Sequence, residues 1–240
     1  MWSYLSLNHE VIVFVGPQGS GKTTHARLLC KKLQSLRWKT CCASLTHYTF
    51  FHLKLTNLLG QLCRNERFKI TLCEGTPPET SSNSEIYRKL FGLLVLSHLV
   101  SFALSFALLK LLLFFYERLL EDDGYVLKQI ADLYYFANIA KIDRHSIAGR
   151  LSKTLVRLLL SSLVGKKLII IHLEVNSTNL QSRYIERKTH VEPSNYIDFQ
   201  NGIYAKLSLV LNDSINGRVA KLDASQSISQ VHQQIVDLVQ

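Results

Sequence analysis

The stretch VIVFVGPQGSGKTT, residues 11–24, decides the fold. Its first five residues are β-branched or aromatic with no polar member, which suits a short strand buried on both faces. The next eight, GPQGSGKT, match the spacing G-x-x-x-x-G-K-[ST] at Gly16, Gly21, Lys22 and Thr23. Residues 21–36 then place His25, Leu28, Leu29 and Leu33 at helical spacing. Strand, glycine-rich turn and helix in that order form a phosphate cradle. Oxyanions need several backbone N–H groups at close range, and the glycines leave the backbone free to bend and expose them. The helix adds the positive end of its dipole. Lys22 is expected to reach the β- and γ-phosphates of a nucleoside triphosphate, Thr23 to ligate Mg²⁺ through its hydroxyl, and Thr24 to bond the α-phosphate.

The chain has 240 residues, enough for one sizeable core, and 47% of them are hydrophobic. Lysine and arginine outnumber aspartate and glutamate 28 to 18, so the net charge is +10. That balance suits polyanionic ligands without choosing among nucleotides, nucleic acid and acidic lipid. No aromatic and basic platform for nucleic acid stands out, and nucleic acid is not expected as a partner. The five cysteines, Cys30, Cys41, Cys42, Cys63 and Cys73, are odd in number and form no CxxC pair. Reduced thiols in a cytoplasmic protein are expected, rather than a disulfide framework or a zinc cluster. The opening MWSYLSLNHE lacks the basic and apolar regions of a signal peptide.

Further strands are expected at 39–45, at 111–117 (LLLFFYE), at 168–173 (LIIIHL) and at 218–222. Helices are expected at 50–62, from 85 to 109, from Asp122 and Asp123 to about 140, and at 146–164, 176–188, 195–211 and 227–239. Residues 74–84, EGTPPETSSNS, read as a loop. Alternation of this kind predicts an α/β fold with a parallel sheet and helices on both faces.

The segment Leu90–Leu109 is 20 residues without a formal charge, long enough to cross a bilayer. Ser97, Ser101 and Ser105 recur every fourth residue, with His98 beside them. Two readings stay open: a helix inside a soluble core with its polar stripe towards a site, or a membrane contact.

Three other segments bear on the acceptor. Glu117 and Arg118 close the expected apolar strand, where strand C-termini face the ligand crevice of a doubly wound sheet. Arg183 and Arg187, four apart on one helical face and followed by Lys188, suit a lid over triphosphate charge. The segment LDASQSISQVHQQI, 222–235, reads as strand, cap and amphipathic helix.

Together GPQGSGKTT, YER (116–118), LEVNSTNLQSRYIERK (173–188), SNYIDFQNGIYAKL (194–207) and LDASQSISQVHQQI resemble the thymidylate kinase family of P-loop nucleoside monophosphate kinases. The resemblance spans almost the whole chain. It implies a three-layer fold with a five-stranded parallel sheet, one kinase-like domain over 1–240, and a helical lid at about 176–195. It implies Mg-ATP-dependent phosphorylation of a nucleoside monophosphate, thymidylate being the nearest guess. Gly16, Pro17, Gln18, Gly19, Ser20, Gly21, Lys22, Thr23 and Thr24 would hold ATP, and Thr23 and Glu117 the Mg²⁺. Arg118 would bind the acceptor phosphate, Arg183 and Arg187 would neutralise the migrating group, and the Asp223–Ser225 turn would lie near adenine. A homodimer stays open. The chain departs from the family on the acceptor side: ASLTHYTFFH (43–52) stands where an R-E-P-G-G-like segment is usual, and Ser97 and His98 where an arginine is usual. Two rivals to the kinase are an ATP-binding or ATPase protein without kinase activity, and a membrane-associated one using 90–109.

Overall fold

The computed structural model describes residues 9–45, 84–139, 141–163, 167–187, 194–214 and 218–239, with side chains omitted at 84–90, 136, 139, 187 and 212–214. The expected helix at 50–62 and most of the expected loop at 74–84 lie outside these residues.

Five strands build one parallel sheet: β1 (Glu10–Val15), β2 (Thr40–Ala43), β3 (Arg118–Glu121), β4 (Lys167–Glu174) and β5 (Arg218–Asp223). Their spatial order is β2-β3-β1-β4-β5, which puts β1 at the centre. Every residue of β1 is buried. This explains its unbroken apolar run: a central parallel strand is covered on both faces and shows no alternation. Val11 pairs with Leu119 on one side and Leu168 on the other.

The helices are α1 (Lys22–Ser35), α2 (Ser84–Phe115), α3 (Tyr125–Ile139), α4 (Ile147–Ser161), α5 (Ser177–Arg187), α6 (Ser194–Ser214) and α7 (Ile228–Val239). Side-chain alternation in β1 divides the core into two layers. Val11, Val13 and Val15 pack with Leu109 of α2, Ile130 of α3, Leu155 of α4 and Leu207 of α6. Ile12 and Phe14 pack with Leu29 of α1 and Ile235 of α7. Local signals set several helix starts. The Ser146 hydroxyl accepts from Gly149 N at 3.1 Å, and the Asn176 side chain accepts from Thr178 N at 3.1 Å.

One expectation fails in a way that matters for the site. Residues 111–117 are not a strand. Helix α2 runs through Phe115, Tyr116 N still donates to Leu112 O at 2.9 Å, and β3 begins only at Arg118. Leucine propagates a helix readily, and no valine or isoleucine interrupts LLLFF in favour of a strand. Glu117 and Arg118 therefore stand at the start of β3 rather than at its end.

The polar stripe of α2 is inside the protein. Ser97, His98, Ser101 and Ser105 are all buried. The Ser105 hydroxyl donates to Leu45 O at 2.6 Å, and Gln129 of α3 reaches Ser101 Oγ at 3.4 Å.

His172, in the middle of β4, is fully buried. Its pKa falls from the ordinary 6.5 to about 4; burial is the main cause, Glu174 opposes it, and Lys221 adds to it. A depressed folded pKa means that unfolding takes up a proton once the pH drops below 6.5. The associated stability is present above 6.5 and is lost as the pH falls towards 4. Urea unfolding at pH 7 and pH 4.5 should therefore show a smaller acid-induced loss in His172→Gln than in the natural chain, by about 2 kcal/mol. Equal losses in both would place the acid sensitivity elsewhere.

Candidate active site

The loop between β1 and α1 adopts the shape its glycines permit. Gly16, Gly19 and Gly21 have φ of 146°, 79° and 95°, the region that glycine enters without a steric penalty. Gly21 caps α1 with no side-chain hydrogen bond, and no acidic residue follows in the first turn. The positive end of the α1 dipole therefore has no acidic side chain in its first turn to offset it, an arrangement that suits an anion. Lys22 Nζ donates to Gly16 O and Pro17 O, each at 2.9 Å. Its ammonium group is held over the loop it is expected to serve. Gln18, Thr23 and Thr24 are exposed, and Ser20 is buried with no hydrogen-bond partner for its hydroxyl.

Helix α5 closes one side of this loop. Arg183 donates from Nη2 to Ala224 O at 2.8 Å and from Nη1 to Gly19 O at 3.5 Å. It thereby ties the loop to the turn after β5. Tyr184, which sequence reasoning passed over, donates its hydroxyl to Gln18 O, and its ring would meet a Cβ on Gly19 at 3.1 Å. The phosphate loop, Arg183 and the Asp223–Ser225 turn therefore converge. The backbone of Arg187 lies one turn further along α5. Beyond that turn opens a cleft of about 700 Å³ lined by Glu174, Asn176, Asn201, Asp223 and Ser225 among others.

Glu117 and Arg118 do not join this group. Arg118 pairs in register with Glu10, the first residue of β1, and its Nε lies 3.1 Å from Glu10 Oε2. Its guanidinium stacks on Trp38 at 4.0 Å. The glycine-rich loop lies at the other end of β1, so Arg118 and Glu117 stand at the opposite end of the sheet from it. The assignment of Arg118 to an acceptor phosphate and of Glu117 to Mg²⁺ is corrected accordingly.

The end of β3 on the same side as the loop carries Glu121, Asp122 and Asp123, of which sequence reasoning read only Asp122 and Asp123, as the start of a helix. Glu121 pairs with Val13, and Gly124 approaches Val15 closely enough that a Cβ there would lie 3.6 Å from its Cγ1. Glu121 is fully buried. It accepts from Leu45 N and Asp123 N, each at 3.2 Å, joining the ends of β2 and β3. Its pKa is raised well above the usual range, by burial first and then by Asp123 and Asp122, while the two backbone donors pull the other way. Asp122 is 8% exposed, and its buried Oδ1 has no hydrogen-bond partner. Asp123 holds Lys128 at 3.1 Å. Tyr125, next along, has φ of 42°, a conformation bulky residues adopt only where the surroundings impose it.

The central strand, the phosphate loop on its C-terminal end, the parallel order around it and the helices on both faces define a three-layer α/β P-loop kinase fold. No protein-family model matches the chain, and no curated protein matches it in sequence. Solved structures do match. A deoxyadenosine kinase from M. mycoides with bound dATP superimposes with a TM-score of 0.58 at 13% identity, covering 95% of this chain and 98% of that one. The same kinase with bound dCTP gives a TM-score of 0.55 at 14% identity over the same shares. At such identities the likeness is one of fold. The P-loop kinase fold implied by the resemblance to thymidylate kinases is thereby shown, and that particular subfamily is left unconfirmed.

Proposed function

We propose that the chain transfers the γ-phosphoryl group of ATP to a hydroxyl of a nucleoside. The observation that carries this reading is the charge at the C-terminal end of β3. A monophosphate acceptor brings two negative charges and needs cations opposite the ATP loop. Among the described residues, the C-terminal end of β3 instead carries Glu121, Asp122 and Asp123, the last of them paired with Lys128, and the arginine of this strand lies at the far end of the sheet. Carboxylates repel a phosphate-bearing acceptor but orient a neutral hydroxyl. Thymidylate, the nearest guess from sequence, loses the residue assigned to its phosphate.

In this reading the loop amides and the α1 N-terminus bind the β- and γ-phosphates. Lys22 follows the migrating phosphoryl group. Arg183, already bonded to Gly19 O, neutralises charge that spreads over its oxygens. Thr23 and Asp122 fit a hard cation: one offers an exposed hydroxyl beside the phosphates, the other a carboxylate oxygen with no partner in the protein. Mg²⁺ held there with ATP would supply charge compensation between the phosphates. Asp122 and Asp123 orient the acceptor oxygen, with Glu121 buried beneath them, and no covalent intermediate on the protein is needed.

An acceptor panel tests this. Deoxynucleosides head it, because the structural neighbour binds dATP and dCTP. ADP release from Mg-ATP should depend on an added nucleoside, should be absent with thymidylate, and should fall at least about a hundredfold in Asp122→Asn. Phosphorylation of a monophosphate in place of a nucleoside would restore the thymidylate reading. ADP release indifferent to every acceptor would leave an ATPase.

A further inference from the structure

We propose that the outer face built by α2 and α4 docks on an anionic lipid bilayer, with the domain resting on the membrane and not crossing it. The starting observation is an apolar surface on the longest helix. Leu93, Leu96, Leu104, Leu111 and Phe114 are 42%, 50%, 50%, 55% and 68% exposed. At 100° per residue they fall within an arc of about 80°, and they extend over about 32 Å of helix. Residues Phe91–Phe115 are long and apolar enough to span a bilayer, yet 39% of their most apolar stretch is buried in the protein.

The buried part decides between lying on a membrane and crossing it. Phe91, Leu94, Val95 and Leu109 belong to the core against the sheet, and Ser105 Oγ is bonded to Leu45 O. A spanning helix would have to abandon these contacts, whereas an interfacial helix keeps them and immerses only its other face.

Charge selects the occupant. Helix α4 packs against α2. It exposes Ile147, Leu151 and Leu158, and beside them Arg150, Lys153 and Arg157. Lys110 is exposed on α2. Neither Phe91–Phe115 nor α4 contains an aspartate or glutamate. A symmetric contact with a second copy would set these cations against themselves with no acid from Phe91–Phe115 or α4 to pair them. A layer of anionic headgroups over an apolar interior complements both the charge and the leucines. At the C-terminal end of α2, Trp38, Lys39, Phe115 and Tyr116 line an apolar hollow of about 600 Å³, and Trp, Tyr and Lys side chains settle at the membrane–water boundary. This inference is independent of the acceptor and of catalysis.

Flotation of the full chain with vesicles tests it. The chain should float with phosphatidylcholine–phosphatidylserine vesicles at low salt, should bind pure phosphatidylcholine far less, and should be released by high salt or alkaline carbonate. Combining Arg150→Glu, Lys153→Glu and Arg157→Glu should weaken binding on the order of a hundredfold or more. Leu96→Glu with Leu104→Glu should also abolish flotation, with cooperative unfolding and Mg-ATP binding retained. Failure of the natural chain to float with the mixed vesicles would overturn the proposal, and so would equal binding of the charge-reversed chain. Resistance to carbonate would make α2 a true span. A dimer in light scattering that the leucine substitutions convert to monomer would assign the face to a second copy.

Discussion

Lys22→Ala should lower ATP-dependent phosphoryl transfer by about a thousandfold, the loss expected when one preorganised charge is removed from a transition state. The melting temperature should move only slightly. The reason lies in what Lys22 touches. It is the first residue of α1, and its ammonium group donates to the carbonyls of Gly16 and Pro17, on the loop that would hold the phosphates. Its stem is half-buried and fills no core position, so truncation leaves the packing of β1 and α1 intact. Lys22→Arg keeps the charge but replaces a compact ammonium with a planar fork, and should recover only part of the rate. Steady-state rates with melting curves on the same preparations check both variants. Undiminished transfer by Lys22→Ala would remove this residue from the chemistry.

Gly16→Ala should abolish nucleotide binding and destabilise the domain together. At φ of 146°, a Cβ on Gly16 would lie 2.4 Å from Leu173 O and 2.9 Å from Ser20 Oγ. The first of these is backbone in β4, held in register with β1 through Val15 and His172, so it cannot yield without disturbing the sheet. Backbone strain and the clash together should cost about 3 kcal/mol, read as a fall in the unfolding midpoint. Gly92→Ala is the control. Nothing lies within 4 Å of a Cβ at that helical position, and the exchange should raise stability by about 1 kcal/mol. Equal behaviour of the two variants would mean that the loop tolerates a side chain, and the cradle would not be as described.

The parts of this protein that depend on local chemistry were readable from its sequence. VIVFV followed by three spaced glycines specifies a buried strand and a phosphate loop within 13 residues of chain, and both stand where expected. The helices expected from 146 and 176 begin at the residues whose side chains cap α4 and α5. The misplacement of β3 has a different origin. LLLFF carries no periodicity, and an apolar run of that kind serves equally as buried strand or as continuing helix until its tertiary neighbours are known. The shift of a few residues moved Arg118 from one end of the sheet to the other, hid Asp122 and Asp123 as the start of a helix, and left Glu121 unread. Tyr184 gave no signal of its own. Its place on the phosphate loop follows from how α5 packs, which spacing along the chain does not encode. The serine stripe on α2 was legible as a polar face, with core burial and membrane contact both open, whereas the apolar surface opposite it became visible only when the core left it uncovered.

Calorimetric titration of Mg-ATP into the folded chain bears most directly on the claim that residues 16–24 cradle a triphosphate. Saturable heat from one site per chain, strongly reduced by Lys22→Ala and absent in Gly16→Ala, is the predicted result. No heat from well-folded natural protein, or the same heat from all three proteins, would contradict it.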